Sequence, residues 1–530
     1  MAMHALMQPA PMRRAVARWP GWQPLALALV AGATASLAME PWALWPLAPV
    51  ALAALLLLLS ARPMSGFASG LAFGFGHFLV SLAWIAEAFT YQAAMPVWMG
   101  WVAVAGLSLF LALYPALAAW GAVRLARRRG AAAPLLQLTL AFAALWVFAE
   151  ILRGLLFTGF PWNPLGAALL PLPGLSQMAA VVGANGLSAI IILAGGAVAA
   201  LADARRERGG RILFGLLLLF ALAEPLLRAA TPPPRVAADA PVFLLVQPGT
   251  GIDDKHGEGG FARSIGAAVE ATRAALQQGS LPPAAVIWPE ATVELPLEEL
   301  PDLRAALVAD LAPQTLLFTG GIALERDSSG QVIAARNSLF ALDHNGQVLA
   351  RYDKAQLVPG GEYLPLRPIA EPLGLARVVP GSLDFWPGPG PVTWRLPGVP
   401  ALAPNICYEI IFPGAIIARA DRPAAIVTVS NDAWFGPTGP PQHHAQARLR
   451  AIEEGLPVLR VTPTGLSGLI GPGGDLLETL PRGGAETATV RLPDARAATP
   501  FSRLGLLLPL MLAALLAGTA MLVARYHRKT

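Results

Sequence analysis

A succession of long apolar runs between residues 22 and 228, separated by short polar or Pro/Gly-rich connectors, constrains this chain more than any other feature. A helix needs roughly 20 mostly apolar residues to cross a bilayer. Spans are therefore expected near 22–39, 43–60, 66–90, 97–123, 132–157, 174–202 and 211–229, with an eighth at 504–524. The chain is 55% hydrophobic and only 13% charged over 530 residues, far from the balance of a soluble domain. Its acidic residues concentrate in 235–495, which reads as a soluble α/β or α+β domain. The expected organisation is an N-terminus (1–21), a seven-helix transmembrane domain (22–230), an outer domain (231–498), and a last span with a basic tail (499–530).

Arginine clusters set the expected orientation, because short cytoplasmic loops collect positive charge. Arg13, Arg14 and Arg18 precede the first span, Arg62 follows the second, and Arg124, Arg127, Arg128 and Arg129 follow the fourth. Arg205, Arg206, Arg208 and Arg211 lie between the sixth and seventh, and Arg525, Arg528 and Lys529 follow the last. Eight spans bring all of these to one side. Both termini are thus expected in the cytoplasm and the outer domain across the membrane. The net charge of +5 belongs to these flanks and does not indicate a nucleic-acid partner. Ala33-Thr34-Ala35 resembles a signal-peptide cleavage site, but further spans follow at once, so an uncleaved first helix is expected. Thr231-Pro232-Pro233-Pro234 reads as a stiff linker.

Ionisable groups inside a span need a partner or a wet cavity. Glu87, Glu150 and Arg153 are such groups. Glu150 and Arg153, three apart on one helix, are expected to face each other, either as a neutralised pair or as a polar patch for a lipid headgroup. His77 is expected to be structural. Trp84, Trp98, Trp101, Trp146 and Trp162 are expected at the membrane interfaces.

In the outer domain, strands are expected at Val242–Val246, Ala285–Trp288, Thr315–Thr319, Leu402–Ile406 and Ala425–Ser430. Ser338–Leu342 and Gln347–Tyr352 should form a hairpin around Asn345-Gly346, and 261–277 should be helical. Chemically useful residues stand at strand ends: Glu290, Lys354 and Cys407, the single cysteine. A lone cysteine forms no internal disulfide and no multi-cysteine metal site. It remains an inert buried thiol, an intermolecular crosslink or a nucleophile. A nucleophilic thiol needs a base, and Glu290 is available. Attack on an acyl carbon creates an oxyanion, which Lys354 and a backbone N–H near Cys407 would meet. A nearby ammonium would also favour the thiolate. Lys354 is one of only three lysines, against 38 basic residues in total, so plain positive charge is supplied elsewhere by arginine. Residue spacing alone leaves these alternatives open.

Three segments resemble the signature regions of the nitrilase superfamily: Trp288-Pro289-Glu290, Asp353-Lys354 with Gly361-Glu362-Tyr363, and Asn405-Ile406-Cys407-Tyr408-Glu409. Glu150-Ile151-Leu152-Arg153-Gly154, Thr158-Gly159-Phe160-Pro161-Trp162 and Asn431-Asp432-Ala433-Trp434-Phe435-Gly436 narrow the resemblance to its membrane-embedded branch, the apolipoprotein N-acyltransferases.

The resemblance implies an αββα sandwich joined to a multispan helical domain, with a Glu290–Lys354–Cys407 triad. It implies a two-step transfer. An acyl chain moves from the sn-1 position of a membrane phospholipid to Cys407, and then to the N-terminal amine of a diacylglyceryl-prolipoprotein, the last step of bacterial lipoprotein maturation. It also implies that Glu362 orients Lys354, that Tyr408 and Glu409 flank the nucleophile, that Trp434 sits in a loop over the site, and that Asn337 belongs to a matching Asn-Ser motif. No cofactor and no metal are expected, and the chain is expected to act as a monomer in the bacterial inner membrane with its catalytic domain periplasmic. One departure is Gly360-Gly361, where a bulkier residue is expected at one position. Residues 363–397, rich in Pro and Gly with Leu366, Leu373, Leu375, Phe385 and Trp386, suit an apolar loop dipping toward the membrane or an ordinary connection. His443 and His444, being adjacent, make a poor metal pair and read as surface or helix-start residues. Two other readings remain: a membrane-tethered amidase or nitrile hydrolase, and a non-enzymatic transporter or receptor.

Overall fold

A computed structural model describes residues 19–62, 65–91, 96–126, 133–202, 208–255, 259–279, 281–365, 367–370, 372 and 384–529. Arg13, Arg14, Arg18, Arg127, Arg128, Arg129, Arg205, Arg206, Leu366, Leu373 and Leu375 lie outside the described residues, as do the side chains of Arg208, Arg528 and Lys529. Packing divides the chain into two units. One comprises Met1–Ala83, Trp101–Pro232 and Leu504–Thr530; the other comprises Trp84–Gly100 and Pro233–Arg503.

The first unit is helical. Trp98–Ala126, Leu135–Leu155, Ala179–Ala202, Gly209–Ala230 and Leu507–Arg525 are long and apolar enough to cross a membrane, and the protein is a membrane protein. Two expected spans are shorter than anticipated: Trp22–Ser36 and Leu47–Ala61 are helices of 15 residues each. Glu150 and Arg153 satisfy their buried charges locally. The Glu150 carboxylate accepts hydrogen bonds from the Trp146 indole (2.8 Å), the Leu165 N–H (2.8 Å), Ser188 (2.7 Å) and Asn185 (3.3 Å). Arg153 donates to the Trp162 carbonyl (2.7 Å) and lies over the Phe78 ring. Trp84, Trp146 and Trp162 are buried, whereas Trp98 and Trp101 are exposed, so only the last two keep the character of interfacial anchors. The indole of Trp146 is needed inside as a donor to Glu150.

The expected third span is broken. Gly66–Ser81 and Ile85–Tyr91 meet at a bend of 52°, and the stretch Trp84–Gly100 belongs to the second unit. Aromatic packing accounts for this. Trp84 packs on Phe435 (centroids 4.7 Å apart), and Tyr91 meets Trp434 edge-on (5.7 Å). Such contacts add to the area they bury.

Two sheets form the second unit. The first contains β1 (Val242–Pro248), β2 (Ala285–Ile287), β3 (Leu316–Arg326), β4 (Val332–Leu342), β5 (Val348–Asp353) and, at its other edge, β11 (Ala485–Arg491). Its order is β11-β1-β2-β3-β4-β5. The second contains β6 (Leu402–Ile406), β7 (Ala425–Val429), β8 (Val458–Val461), β9 (Gly468–Ile470) and β10 (Leu476–Thr479), in the order β10-β9-β8-β7-β6. In each sheet three adjacent strands are parallel, β1-β2-β3 and β6-β7-β8, and the remaining pairings are antiparallel.

Strand alternation explains the layering, since successive residues face opposite sides. Phe243, Leu245, Ile287 and Phe318 turn one way and pack with Ile406, Val427, Val429 and Val461 of the other sheet. Their neighbours Leu244, Val246, Val286 and Leu317 turn the other way and pack with Ala268, Ile265 and Leu276 of the helix Gly260–Gln278. The helix Gly439–Glu454 packs against β8 and β9. The result is the αββα sandwich implied by the resemblance. Strands β6 and β7 lie within a residue of their expected bounds, whereas β3 and β4 run to 11 residues each.

Candidate active site

The three triad residues sit where strands stop. Glu290 follows β2 through Trp288 and Pro289, Lys354 follows β5 directly, and Cys407 follows β6 directly. The parallel order of each sheet carries the ends of neighbouring strands to one edge, where sites in such sheets gather. Two backbone positions are strained. Cys407 has φ 51° and Ala291, next to Glu290, has φ 54°, in the left-handed region that non-glycine residues seldom occupy. The turn at Glu290 also presses on β3. A Cβ on Gly320 would lie 2.6 Å from the Ala291 nitrogen and 2.8 Å from the Glu290 Cα, so only glycine fits there.

Around Lys354 the side chains form a closed ring. Its Nζ donates to Glu290 Oε1 (3.1 Å) and to Glu362 Oε1 (2.9 Å). Asn337 Nδ2 reaches the same two oxygens, at 2.8 Å each. The second oxygen of Glu290 takes the Asn431 N–H (2.7 Å), and that of Glu362 takes the Val358 N–H (2.7 Å). Lys354 is only 1% exposed. Burial alone would lower its pKa, but Glu290 and Glu362 outweigh burial and hold it well above its ordinary value, which favours the ammonium.

The Lys354 ammonium favours the Cys407 thiolate, as expected, but other influences outweigh it. Burial first, then repulsion from Glu290, raises its pKa well above the ordinary thiol value, against the pull of Lys354. At rest the sulfur carries its proton. The ammonium is present, but its charge is already shared with two carboxylates.

The remaining sequence-predicted residues fall around this core. Glu409 ties the nucleophile turn to the lysine strand. Its Oε2 takes the Ile406 N–H (2.7 Å), while Oε1 takes the Tyr352 hydroxyl (2.6 Å) and the Ala355 N–H (2.7 Å). Tyr408 is buried and packs edge-on against Phe412. Trp434 is half-buried against Tyr91. The Gly360 departure has a local reason: with φ 76° it supplies the left-handed turn that lets Glu362 reach back to Val358. From the 363–397 segment, Phe385 pairs its N–H with the Glu362 carbonyl and Gly388 its N–H with the Lys354 carbonyl, so this part runs beside the site, while Trp386 is 42% exposed.

Sequence reasoning missed a second buried cluster. His443 and His444 are not surface residues; both are buried, because the first turns of the helix Gly439–Glu454 lie against the second sheet. His443 Nδ1 is 2.9 Å from Asp432 Oδ1 and its Nε2 is 3.1 Å from the Cys407 carbonyl oxygen. Arg460 pairs with the other oxygen of Asp432, and Ser430 donates to Asp432 Oδ1. Although burial opposes ionisation, Arg460 and His443 hold the Asp432 carboxyl well below its ordinary value. A signal existed: Arg460 interrupts the apolar run Val458-Leu459-Arg460-Val461, and a charge inside a central strand demands a buried partner.

His444 makes a testable contribution to stability. Burial, then the charges of Arg460 and Arg448, lower its pKa to about 3. The unfolded chain therefore binds a proton that the folded protein refuses below about pH 6.5. Stability from this group is complete above that pH and is lost as pH falls toward 3. Between pH 7 and pH 5 the loss is about 2 kcal/mol. Thermal unfolding of the His444→Leu variant should show a correspondingly flatter dependence on pH across this interval; a slope equal to wild type would remove His444 from the account.

Comparisons with known proteins agree with both units. Residues 31–197 match the apolipoprotein N-acyltransferase N-terminal domain, and residues 248–500 match the carbon-nitrogen hydrolase family. An apolipoprotein N-acyltransferase of Allorhizobium ampelinum is 34% identical over 493 residues, covering 90% of this chain and 91% of that protein. The one from Rhodopseudomonas palustris is 34% identical over 517 residues, covering 93% of this chain and 94% of that protein. An amidase structure from Nesterenkonia sp. is similar at 18% identity with a TM-score of 0.34, over 49% of this chain and 93% of that one, and adds nothing to the assignment. With relatives this similar along about nine-tenths of its length, the chain belongs to the apolipoprotein N-acyltransferase family.

Proposed function

We propose that this protein transfers an acyl chain from the sn-1 position of a membrane phospholipid to the N-terminal amine of a diacylglyceryl-cysteine lipoprotein, through a thioester on Cys407. The observation that carries this reading is the closed ring of Glu290, Lys354, Glu362 and Asn337 next to a buried cysteine on a strained turn.

In the first half-reaction Glu290 takes the thiol proton as Sγ attacks the ester carbonyl. A C–S bond forms and the carbonyl oxygen becomes an oxyanion. Lys354 and the backbone N–H that follows Cys407 stabilise it. On collapse the C–O bond breaks, and the lysophospholipid leaves with the proton returned by Glu290. In the second half-reaction the lipoprotein α-amine attacks the thioester, forming a C–N bond. Glu290 accepts the amine proton, the C–S bond breaks, and the released sulfur recovers the proton. The thioester keeps enough free energy for aminolysis, so neither half-reaction calls on a cofactor. A base kept beside a neutral thiol suits this cycle, because one carboxyl must both remove and return a proton.

Glu362 and Asn337 are read as holding Lys354 and Glu290 in place, Glu409 and Tyr408 as holding the nucleophile turn, and Trp434 as part of a loop over the site. The arginine clusters support a cytoplasmic location for both termini and a periplasmic location for the catalytic unit, with the chain acting as a monomer in the bacterial inner membrane.

Intact-protein mass spectrometry after exposure to phospholipid tests the mechanism. Wild type should gain the mass of one acyl group, localised to Cys407, and lose it on adding an amine-terminated lipopeptide. Cys407→Ser should transfer nothing. An acyl mass on another residue, or discharge to free fatty acid at an equal rate without the amine, would sink this reading.

A further inference from the structure

We propose that His443 is a positioning residue for acyl transfer: by donating its Nε2–H to the Cys407 carbonyl oxygen, it fixes the plane of the Cys407–Tyr408 peptide and aims the Tyr408 N–H at the oxyanion. The inference rests on the reading of Cys407 as the nucleophile, and extends it to a residue outside the triad.

A carbonyl oxygen can only accept a hydrogen bond. The 3.1 Å contact between Nε2 and the Cys407 oxygen therefore places a proton on Nε2. The other ring nitrogen lies 2.9 Å from Asp432 Oδ1 and 3.3 Å from the Arg460 guanidinium, which can donate to it. His443 is fully buried, so no water competes for either nitrogen. A trans peptide is planar, with its C=O and N–H pointing in opposite directions. Anchoring the Cys407 carbonyl therefore determines where the Tyr408 N–H points.

An external anchor is needed here. Cys407 has φ 51°, a conformation its side chain does not favour, so local preference does not hold the peptide in this plane. Glu409 secures the chain just upstream through the Ile406 N–H, and His443 secures it just downstream. A donor to the carbonyl also polarises the amide and strengthens its N–H as a donor. One tripeptide at the end of β7 coordinates these parts. Ser430 and Asp432 support His443, and the Asn431 N–H between them holds Glu290.

The test compares two reactions of the same sulfur in the purified full chain. Acylation by phospholipid passes through an oxyanion; alkylation by iodoacetamide, a displacement at saturated carbon, does not. In His443→Leu, acylation should slow by about 10- to 100-fold, less than the 10²–10³ for outright loss of an oxyanion donor, while alkylation stays near the wild-type rate. His443→Gln, which retains an N–H of similar reach, should recover most of the acylation rate. The proposal is overturned if His443→Leu acylates normally, if acylation and alkylation fall together, or if the glutamine variant is folded yet no better than leucine. Failure of the wild type itself to become acylated would overturn the parent reading, and this one with it.

Discussion

Glu290→Gln is expected to slow acylation of Cys407 by about 10³-fold, within the range for loss of a general base, and yet to make the thiol ionise at lower pH. The two effects come from two roles of one carboxylate. As a base, Glu290 removes a proton that an amide cannot accept. As a charge, it is the strongest neighbour opposing the thiolate, second only to burial in raising the Cys407 pKa. Removing that charge also leaves Lys354 less neutralised, which favours the thiolate further. The pH profile for iodoacetamide alkylation should therefore move to lower pH in the variant that acylates poorly. Glutamine has a bonding cost as well. Glu290 accepts from Lys354 and Asn337 on one oxygen and from the Asn431 N–H on the other. An amide has one oxygen, so at least one donor loses its partner, at about 1–3 kcal/mol when buried. An alkylation midpoint that stays in place, or rises, would contradict this description of the site.

Lys354→Met is expected to damage folding and catalysis together, and a second substitution should separate the two. Lys354 lies between Glu290 and Glu362, at 3.1 and 2.9 Å, with all three side chains nearly buried. Removing the cation leaves two carboxylates facing each other across Asn337. Breaking a buried ion pair in this way costs about 3–5 kcal/mol. Acylation loses its oxyanion cation in addition, worth about 10²–10³ in rate. Adding Glu362→Gln removes one of the stranded charges. The double variant should recover a large part of the lost thermal stability and none of the acylation rate. Lys354→Arg should not substitute, because a planar guanidinium does not fit the geometry of a compact ammonium between two close oxygens. Recovery of acylation in the double variant would show that Lys354 serves only to neutralise its neighbours.

Particular elements show how far the sequence was readable. The strands β6 and β7 are short, almost wholly apolar and bounded by turn residues, so their limits and the strand-end positions of Cys407 and Asn431 could be read directly. The ring around Lys354 could not be read from the residues alone, and only the family resemblance implied that Glu362 orients Lys354. Asn337, Lys354 and Glu362 meet through the pairing of β4 with β5 and the turn at Gly360, and tertiary pairing of that kind has no local period. The ionisation of Cys407 was not legible for a related reason. Proximity to a lysine does favour the thiolate, but burial and the Glu290 charge outweigh it here, and neither is visible in residue spacing. His443 was misread as a surface residue because a polar dipeptide at a helix start resembles a solvated one; Arg460 inside an apolar strand was the one hint of a buried polar cluster. In the membrane unit, apolar length located the helices, but the bend at Leu82–Trp84 depended on partners some 350 residues away along the sequence.

That bend limits how the protein can be taken apart. The stretch Trp84–Gly100 lies between two membrane helices in sequence but belongs by packing to the catalytic unit, where its aromatic rings cover Trp434 and Phe435. Phe435 in turn packs on His443. A catalytic domain cut out at Pro233 would look complete as an αββα sandwich and would still lack one wall. The two halves are therefore not interchangeable cassettes: a hydrolase domain grafted onto another anchor would arrive with an uncovered aromatic face beside its nucleophile turn. Substitutions at Trp84 or Tyr91 would be tolerated best when matched by changes across that seam.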